Sequence, residues 1–352
     1  MIKSLTSLRG VFILFIFFHH CMNMYPGGGS MAVSFFFILS GFSMTLGYKD
    51  KVLRPDFSYK HYFLRRCIKF YPLHWLCLLA VLPLDLYPFH INKGLFFLSN
   101  ATLTQTLVPL KPFYFSFNAV SWYLADTLFF AALFPILLRS ILKAKRKHFG
   151  VVGVLILVVY ITLVTLLPKE EYHSILYISP YIRITDFVFG IILALGYLKL
   201  NNQTRIQSFI NQNSAMFHIV VTAIIVFLIV ESCLLSNDWR LVAPVYWIPI
   251  GILLLICSLL TENQGVSNVG KLYDNRLFEW LGKLSFTIFL THLVVLRYVT
   301  LIFNHYQFEQ PVLFVILSLS LSLTISFLVE QYFLNPFTQW LTKKILPSTI
   351  AQ

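Results

Sequence analysis

Apolar stretches of about twenty residues alternate with short polar loops along the whole chain. A helix needs about 20 mainly apolar residues to cross a hydrocarbon core of about 30 Å, and ten stretches come close to this length. They lie at residues 5–24, 31–48, 67–85, 119–139, 149–167, 177–198, 215–235, 241–260, 280–301 and 311–333. The pattern predicts an all-α polytopic membrane protein of about ten transmembrane helices, in which residues 1–352 form a single transmembrane domain.

The composition and the placement of charge agree with this topology. Charged residues make up only 12% of the chain, against about a quarter in soluble domains. Lysine and arginine concentrate in every second loop, as is typical of cytoplasmic loops, so both termini are predicted to be cytoplasmic. The net charge of +13 is spread over several short loops, and it therefore does not predict nucleic-acid binding.

Residues 93–117 are aromatic and short of charge, but they are interrupted by Pro109 and Pro112. If this segment crossed the membrane, every later basic loop would face outward, against the charge bias. We predict an interfacial or re-entrant segment that lines the entrance for a substrate.

The first apolar stretch contains two polar residues with a suggestive spacing, Arg9 and His20. Their eleven-residue separation places them about 20° apart around a helix and about 16 Å apart along it, whereas His19 lies roughly 80° away from that line. Placing an arginine in hydrocarbon costs about 2.5–3.5 kcal/mol on insertion scales. We therefore expect both groups to face a protein-lined cavity, where His20 can act as a base.

A basic motif precedes the third predicted span. Arg65, Arg66 and Lys69 lie within about one helical turn, and Arg66 and Lys69 share a face. These cations either anchor the helix to anionic lipid headgroups or hold the phosphates of a cytosolic ligand. The shared face favours the second interpretation.

Other polar residues lie inside predicted spans. Asp126 requires a cation from another helix or a proton. Arg183 and Asp186 can pair with each other three residues apart, or one of them can meet the Arg9 and His20 cavity. Ser40, beside Gly41, permits close helix packing or contacts a substrate. His292 and Glu330 rank lower, and no zinc-type spacing predicts a metal site.

These segments, in this order, resemble the acyltransferase 3 family of integral membrane acyltransferases, which includes O-antigen and exopolysaccharide O-acetylases. The resemblance runs nearly from end to end. Its parts are the Arg9 and His20 pattern, the stretch from Gly28 to Phe42 with a glycine-rich turn leading to Ser-Gly-Phe, the basic motif from Arg65 to Trp75 with Lys69 where arginine is usual, the Trp-containing segment 118–135, the Arg183 to Gly190 stretch, the Leu281 to His292 signature and Glu330. Asp126 stands one position before the family's acidic residue, and Ser34 stands where an aspartate is often found.

The resemblance implies transfer of an acyl group, most often acetyl, from acyl-CoA to a hydroxyl of a glycan or glycolipid. The implied setting is a bacterial inner membrane, with membrane lipid as a further partner and no metal. The site residues that it suggests are His20, Arg9, Asp126 and Arg183 for catalysis, and Arg65, Arg66, Lys69 and Ser40 for the donor. A transporter or flippase is the alternative, since buried charge also marks ion pathways, but the two halves of the chain show no repeat.

Overall fold

The computed structural model describes residues 2–23, 28–85, 91–260 and 268–346, and these residues form helices and turns with no β-strand. The α-helices are α1 (Lys3–His20), α2 (Gly28–Leu53), α3 (Tyr59–Asp85), α4 (Ile91–Ala101), α5 (Lys111–Tyr114), α6 (Ser121–Lys143), α7 (Arg146–Leu166), α8 (Lys169–Tyr172), α9 (Pro180–Asn201), α10 (Thr204–Gln212), α11 (Ser214–Leu234), α12 (Asn237–Arg240), α13 (Trp247–Leu259), α14 (Arg276–His305), α15 (Pro311–Leu328) and α16 (Asn335–Ile345). The chain is thus an all-α protein, as its sequence predicts.

Eight helices among the described residues are long and apolar enough to cross a membrane, so the chain is an integral multi-pass membrane protein. Two of the ten predicted spans fall short of that standard. Helix α1 carries seven polar residues over 18 positions. Helix α13 has only 13 residues, preceded by a 3₁₀ turn at Ala243–Tyr246.

Between α3 and α6, the described residues 91–120 contain only short helices. Helix α4 has 11 residues and α5 has four, so neither reaches the roughly 20 residues needed to span the hydrocarbon core. The expected glycine turn is wrong in part, because Gly28, Gly29 and Ser30 already belong to α2. Gly27 lies outside the described residues.

The chain forms two compact units. Unit one comprises residues 1–19, 25–55 and 133–283. Within it, α2 and α9 pack backbone to backbone at Gly41 and Gly190. A Cβ at Gly41 would collide with the carbonyl oxygen of Phe187, and a Cβ at Gly190 with that of Ile38. Small residues permit such close approach between membrane helices, so the packing role expected for the Ser40-Gly41 pair belongs to Gly41.

Unit two comprises residues 20–24, 56–132 and 284–352. Its polar contacts connect α14 to α15 and to the π-helical turn Val329–Leu334 that follows α15. The Thr291 and Ser326 hydroxyls lie 2.8 Å apart, and the Thr287 hydroxyl donates to the Glu330 carboxylate. These bonds fix the rotation of α14, which carries His292.

Candidate active site

Helix α1 is uninterrupted from Lys3 to His20, so Arg9 and His20 keep the common face that their spacing predicts. The helix ends at His20, four residues before the predicted end. The next residues include Met22 with φ 58° and Asn23 with φ 53°. Such left-handed backbone is uncommon for residues other than glycine and cannot continue an α-helix. His20 therefore stands at a helix terminus and is exposed.

The two adjacent histidines have different surroundings. His19 packs against the backbone of α2, where a Cβ at Gly29 would overlap its imidazole ring. The His20 ring instead lies beside His292 of α14, with ring centroids 5.1 Å apart and ring planes inclined by 54°. Within unit two, His20 and His292 thus form a histidine pair.

The His20–His292 pair is joined by a hydrogen bond of 3.3 Å between Nδ1 of His20 and Nε2 of His292. The other ring nitrogen of His292, Nδ1, lies 3.0 Å from the carbonyl oxygen of Ile288. A carbonyl can only accept, so Nδ1 of His292 carries a proton. In the neutral ring Nε2 then accepts, and Nδ1 of His20 must donate to it. The lone pair of neutral His20 is therefore on Nε2.

Several contacts hold His292 in place. Its side chain is fully buried, and its ring lies 6.1 Å from that of Phe289, which packs edge-on against Tyr123 at 4.9 Å. The Asn118 amide donates to the carbonyl of Leu290 at 2.9 Å. This hydrogen bond connects the residues just before α6 to α14. His292 is therefore held rigidly and can orient His20.

Arg183 and Asp186 form an ion pair with each other, which is the first of the two arrangements that their spacing predicts. The Arg183 guanidinium lies 2.9 Å from the Asp186 carboxylate, and both side chains are buried. Arg183 also donates to the Ser34 hydroxyl at 3.0 Å, and the Trp247 indole donates to Asp186. Ser34 thus supplies an oxygen from α2 to Arg183 on α9. The arrangement joins α2, α9 and α13 within unit one.

The basic motif lies inside α3 rather than before it, since α3 begins at Tyr59 and not near residue 67. The Arg66 guanidinium stands 5.5 Å from the centre of the Tyr62 ring, one turn earlier, and the Tyr62 hydroxyl donates to the Ala131 carbonyl at 2.7 Å. Arg65 and Arg66 are partly exposed and Lys69 is exposed. The motif therefore presents several cations on an ordered helix.

Two further predicted residues have different burial. Asp126 on α6 is fully buried, whereas Ser40 on α2 is partly exposed. Neither belongs to the His20–His292 pair. Within the described part of the chain, no three histidine, cysteine, aspartate or glutamate side chains lie close enough to hold a metal ion.

Fold and site together define a helical membrane protein with a histidine pair inside one unit and a basic helical motif in the same unit. A family model described as an acyltransferase domain matches residues 2–331. The chain therefore belongs to the acyltransferase 3 family. No solved structure matches it.

Several curated proteins are similar to this chain. A protein of Staphylococcus aureus (strain COL) named "Putative O-acetyltransferase" is 23% identical over 94% of this chain and 56% of its own length. A "Putative acetyltransferase" of Acidianus two-tailed virus is 26% identical over 83% of this chain and 82% of its own. The "Acyltransferase MdmB" of Streptomyces mycarofaciens is 29% identical over 47% and 46%. The chain thus spans little more than half the length of the staphylococcal relative.

Proposed function

We propose that this protein is a membrane-embedded O-acyltransferase that moves an acyl group, most simply acetyl, from acyl-CoA to a hydroxyl of a glycan or lipid-linked sugar. The observation that carries the proposal is the His20–His292 pair. Membership of an acyltransferase family, and relatives named as acetyltransferases, favour this function over the transporter alternative.

His20 acts as the general base in this mechanism. A sugar hydroxyl is a poor nucleophile at neutral pH, and a positioned imidazole that removes its proton contributes about 100- to 10,000-fold. The hydroxyl oxygen bonds to the thioester carbonyl carbon while Nε2 of His20 takes the proton. The C–S bond then breaks, and the imidazolium returns the proton to the departing thiolate, which leaves as free coenzyme A.

Two other groups serve the donor. Arg9 lies on the same face of α1 as His20 but about 16 Å away along the helix, so we assign to it a contact with the acyl-CoA donor rather than with the reacting carbonyl. Arg66 and Lys69, three residues apart on α3, bind the phosphates of coenzyme A. In the topology predicted from the loops, these cations face the cytoplasm, where acyl-CoA is present.

The test is release of coenzyme A by the full-length protein in proteoliposomes supplied with acetyl-CoA and with glycans and lipids from a strain lacking the gene. His20→Ala should lower the rate by about 100-fold or more. His19→Ala is the matched control, because it removes the adjacent histidine, which packs against α2.

Mass spectrometry of the same reaction identifies the acceptor by the added acetyl group. A folded His20→Ala protein with normal turnover would refute the assignment of the base. Absence of any acetylated product from the wild-type protein would refute acyl transfer itself.

A further inference from the structure

A cleft of about 390 Å³ opens within unit two between the ends of α3 and α4 and the middle of α14. Its volume lies within the range of about 300–1,000 Å³ that is usual for small-molecule sites. Polar and aromatic side chains line it together, among them Asp85, Lys93, Phe96, Phe117 and Arg297. Such a mixture of apolar walls and a few convergent polar groups is typical of a specific ligand site.

The polar wall of the cleft is preassembled. The Arg297 guanidinium donates to both oxygens of the Asp85 carboxylate, at 2.8 and 2.7 Å. It also donates to the Phe117 carbonyl at 2.9 Å, while the Lys93 ammonium donates to the Asp85 carbonyl at 2.6 Å. The pair is not sealed, because 29% of the Arg297 side chain and 27% of the Asp85 side chain are exposed. Both groups therefore retain hydrogen-bonding capacity toward a ligand.

The aromatic wall is equally ordered. The Phe96 ring packs edge-on against Phe113 at 4.9 Å, and Phe97 packs edge-on against Phe117 at 5.7 Å. Phe117 has a φ of 58°, a left-handed conformation that costs roughly 1–2 kcal/mol in a residue with a side chain and turns its carbonyl to Arg297. Phe117, with its strained backbone, therefore lies in contact with the Asp85–Arg297 ion pair.

The position of the cleft relates it to both parts of the proposed mechanism. Sixteen residues separate Lys69 from Asp85 on α3, which corresponds to about 24 Å along a helix, so the cleft lies far from the basic motif. On α14, Arg297 is five residues from His292, or about 7.5 Å along the axis. The two residues lie about 140° apart around α14, but Leu293, the residue after His292, also lines the cleft. A ligand in the cleft is therefore near the level of His292 along α14 and remote from the cations assigned to the donor.

We infer that this cleft is the acceptor subsite and that it binds a hydroxyl-rich sugar ring. The inference rests on the proposed function. The Asp85 carboxylate accepts from sugar hydroxyls, and the Arg297 and Lys93 cations donate to them. The C–H face of the ring packs on the phenylalanine side chains, which provide the apolar part of the site.

Binding tests the cleft without requiring catalysis. Saturation-transfer NMR on the full-length protein in nanodiscs, with a panel of methyl glycosides of glucose, galactose, mannose, rhamnose, N-acetylglucosamine and glucuronic acid, should detect at least one ligand. Asp85→Asn and Phe96→Ala should each weaken its binding, Asp85→Asn by about tenfold because a hydrogen bond to a charged group is lost. Lys283→Gln is the control, since it breaks an exposed ion pair with Glu279 on the same helix.

The outcomes separate this inference from the proposed function. His20→Ala should retain glycoside binding although it loses acyl transfer. If Asp85→Asn and Phe96→Ala proteins with wild-type melting temperatures bind the glycoside as well as wild type, or if no glycoside binds the wild-type protein, the cleft is not the acceptor subsite. If His20→Ala retains transfer while the cleft variants lose binding, the base is misassigned and the cleft stands.

Discussion

Replacing His292 with phenylalanine tests whether the histidine pair acts through the protonation state of His20. Phenylalanine retains a planar ring in the fully buried position of His292 but cannot accept a hydrogen bond from Nδ1–H of His20. His20 then loses the 3.3 Å bond that places its lone pair on Nε2. A hydrogen bond of this kind contributes about 0.5–1.5 kcal/mol, so the rate should fall by about tenfold at the upper limit.

The expected change is confined to kcat. His292 contacts His20 rather than substrate in the proposed mechanism, so the KM for acetyl-CoA should stay the same. His292→Gln retains an amide oxygen that can accept from His20 and should recover part of the lost rate. Coenzyme A release in proteoliposomes, normalised to folded protein, measures all three proteins.

A double variant distinguishes a positioning role from general packing. Residues that act as one unit are strongly non-additive, so His20→Ala with His292→Phe should be no slower than His20→Ala alone. His218→Phe serves as a control, because it removes another buried histidine, which lies 2.6 Å from the Tyr273 hydroxyl in unit one. A His292→Phe enzyme within twofold of wild type, or equal losses in the phenylalanine and glutamine variants, would refute the tautomer argument.

Three further variants address packing and donor binding. Gly41→Ala should destabilise the protein by about 2 kcal/mol, since the new methyl group meets the backbone of α9. In thermal unfolding, Gly47→Ala on the same helix should be neutral or slightly stabilising, because its methyl group meets open space. Asp186→Asn leaves its buried arginine partner without a counter-charge and should cost about 3 kcal/mol, and an unchanged melting temperature would contradict that estimate. Arg66→Gln should raise the KM for acetyl-CoA by about tenfold at unchanged kcat. Lys60→Gln, which removes an exposed cation earlier on α3, should leave this KM unchanged. Equal KM values for the two variants would exclude Arg66 from donor binding.

The sequence was sufficient for those features that depend on local spacing. Apolar stretches predicted an all-α membrane protein because a hydrocarbon core leaves few other ways to satisfy the backbone. The eleven-residue interval placed Arg9 and His20 on one face, since helix periodicity is independent of the surrounding fold. The three-residue interval likewise offered the Arg183 and Asp186 ion pair, which the structure contains. The apolar pattern does not predict the start of α3 at Tyr59, because residues 59–66 are largely polar or basic.

Tertiary structure decided the features that depend on distant residues. His292 follows His20 by 272 positions, and no local pattern connects them, so the sequence alone does not predict the pair. Asp85 and Arg297 are 212 positions apart, and no sequence pattern predicts that they pair. Their pairing depends on how α3 and α14 pack, and that packing is set by side-chain contacts between helices rather than by the residue types within either helix.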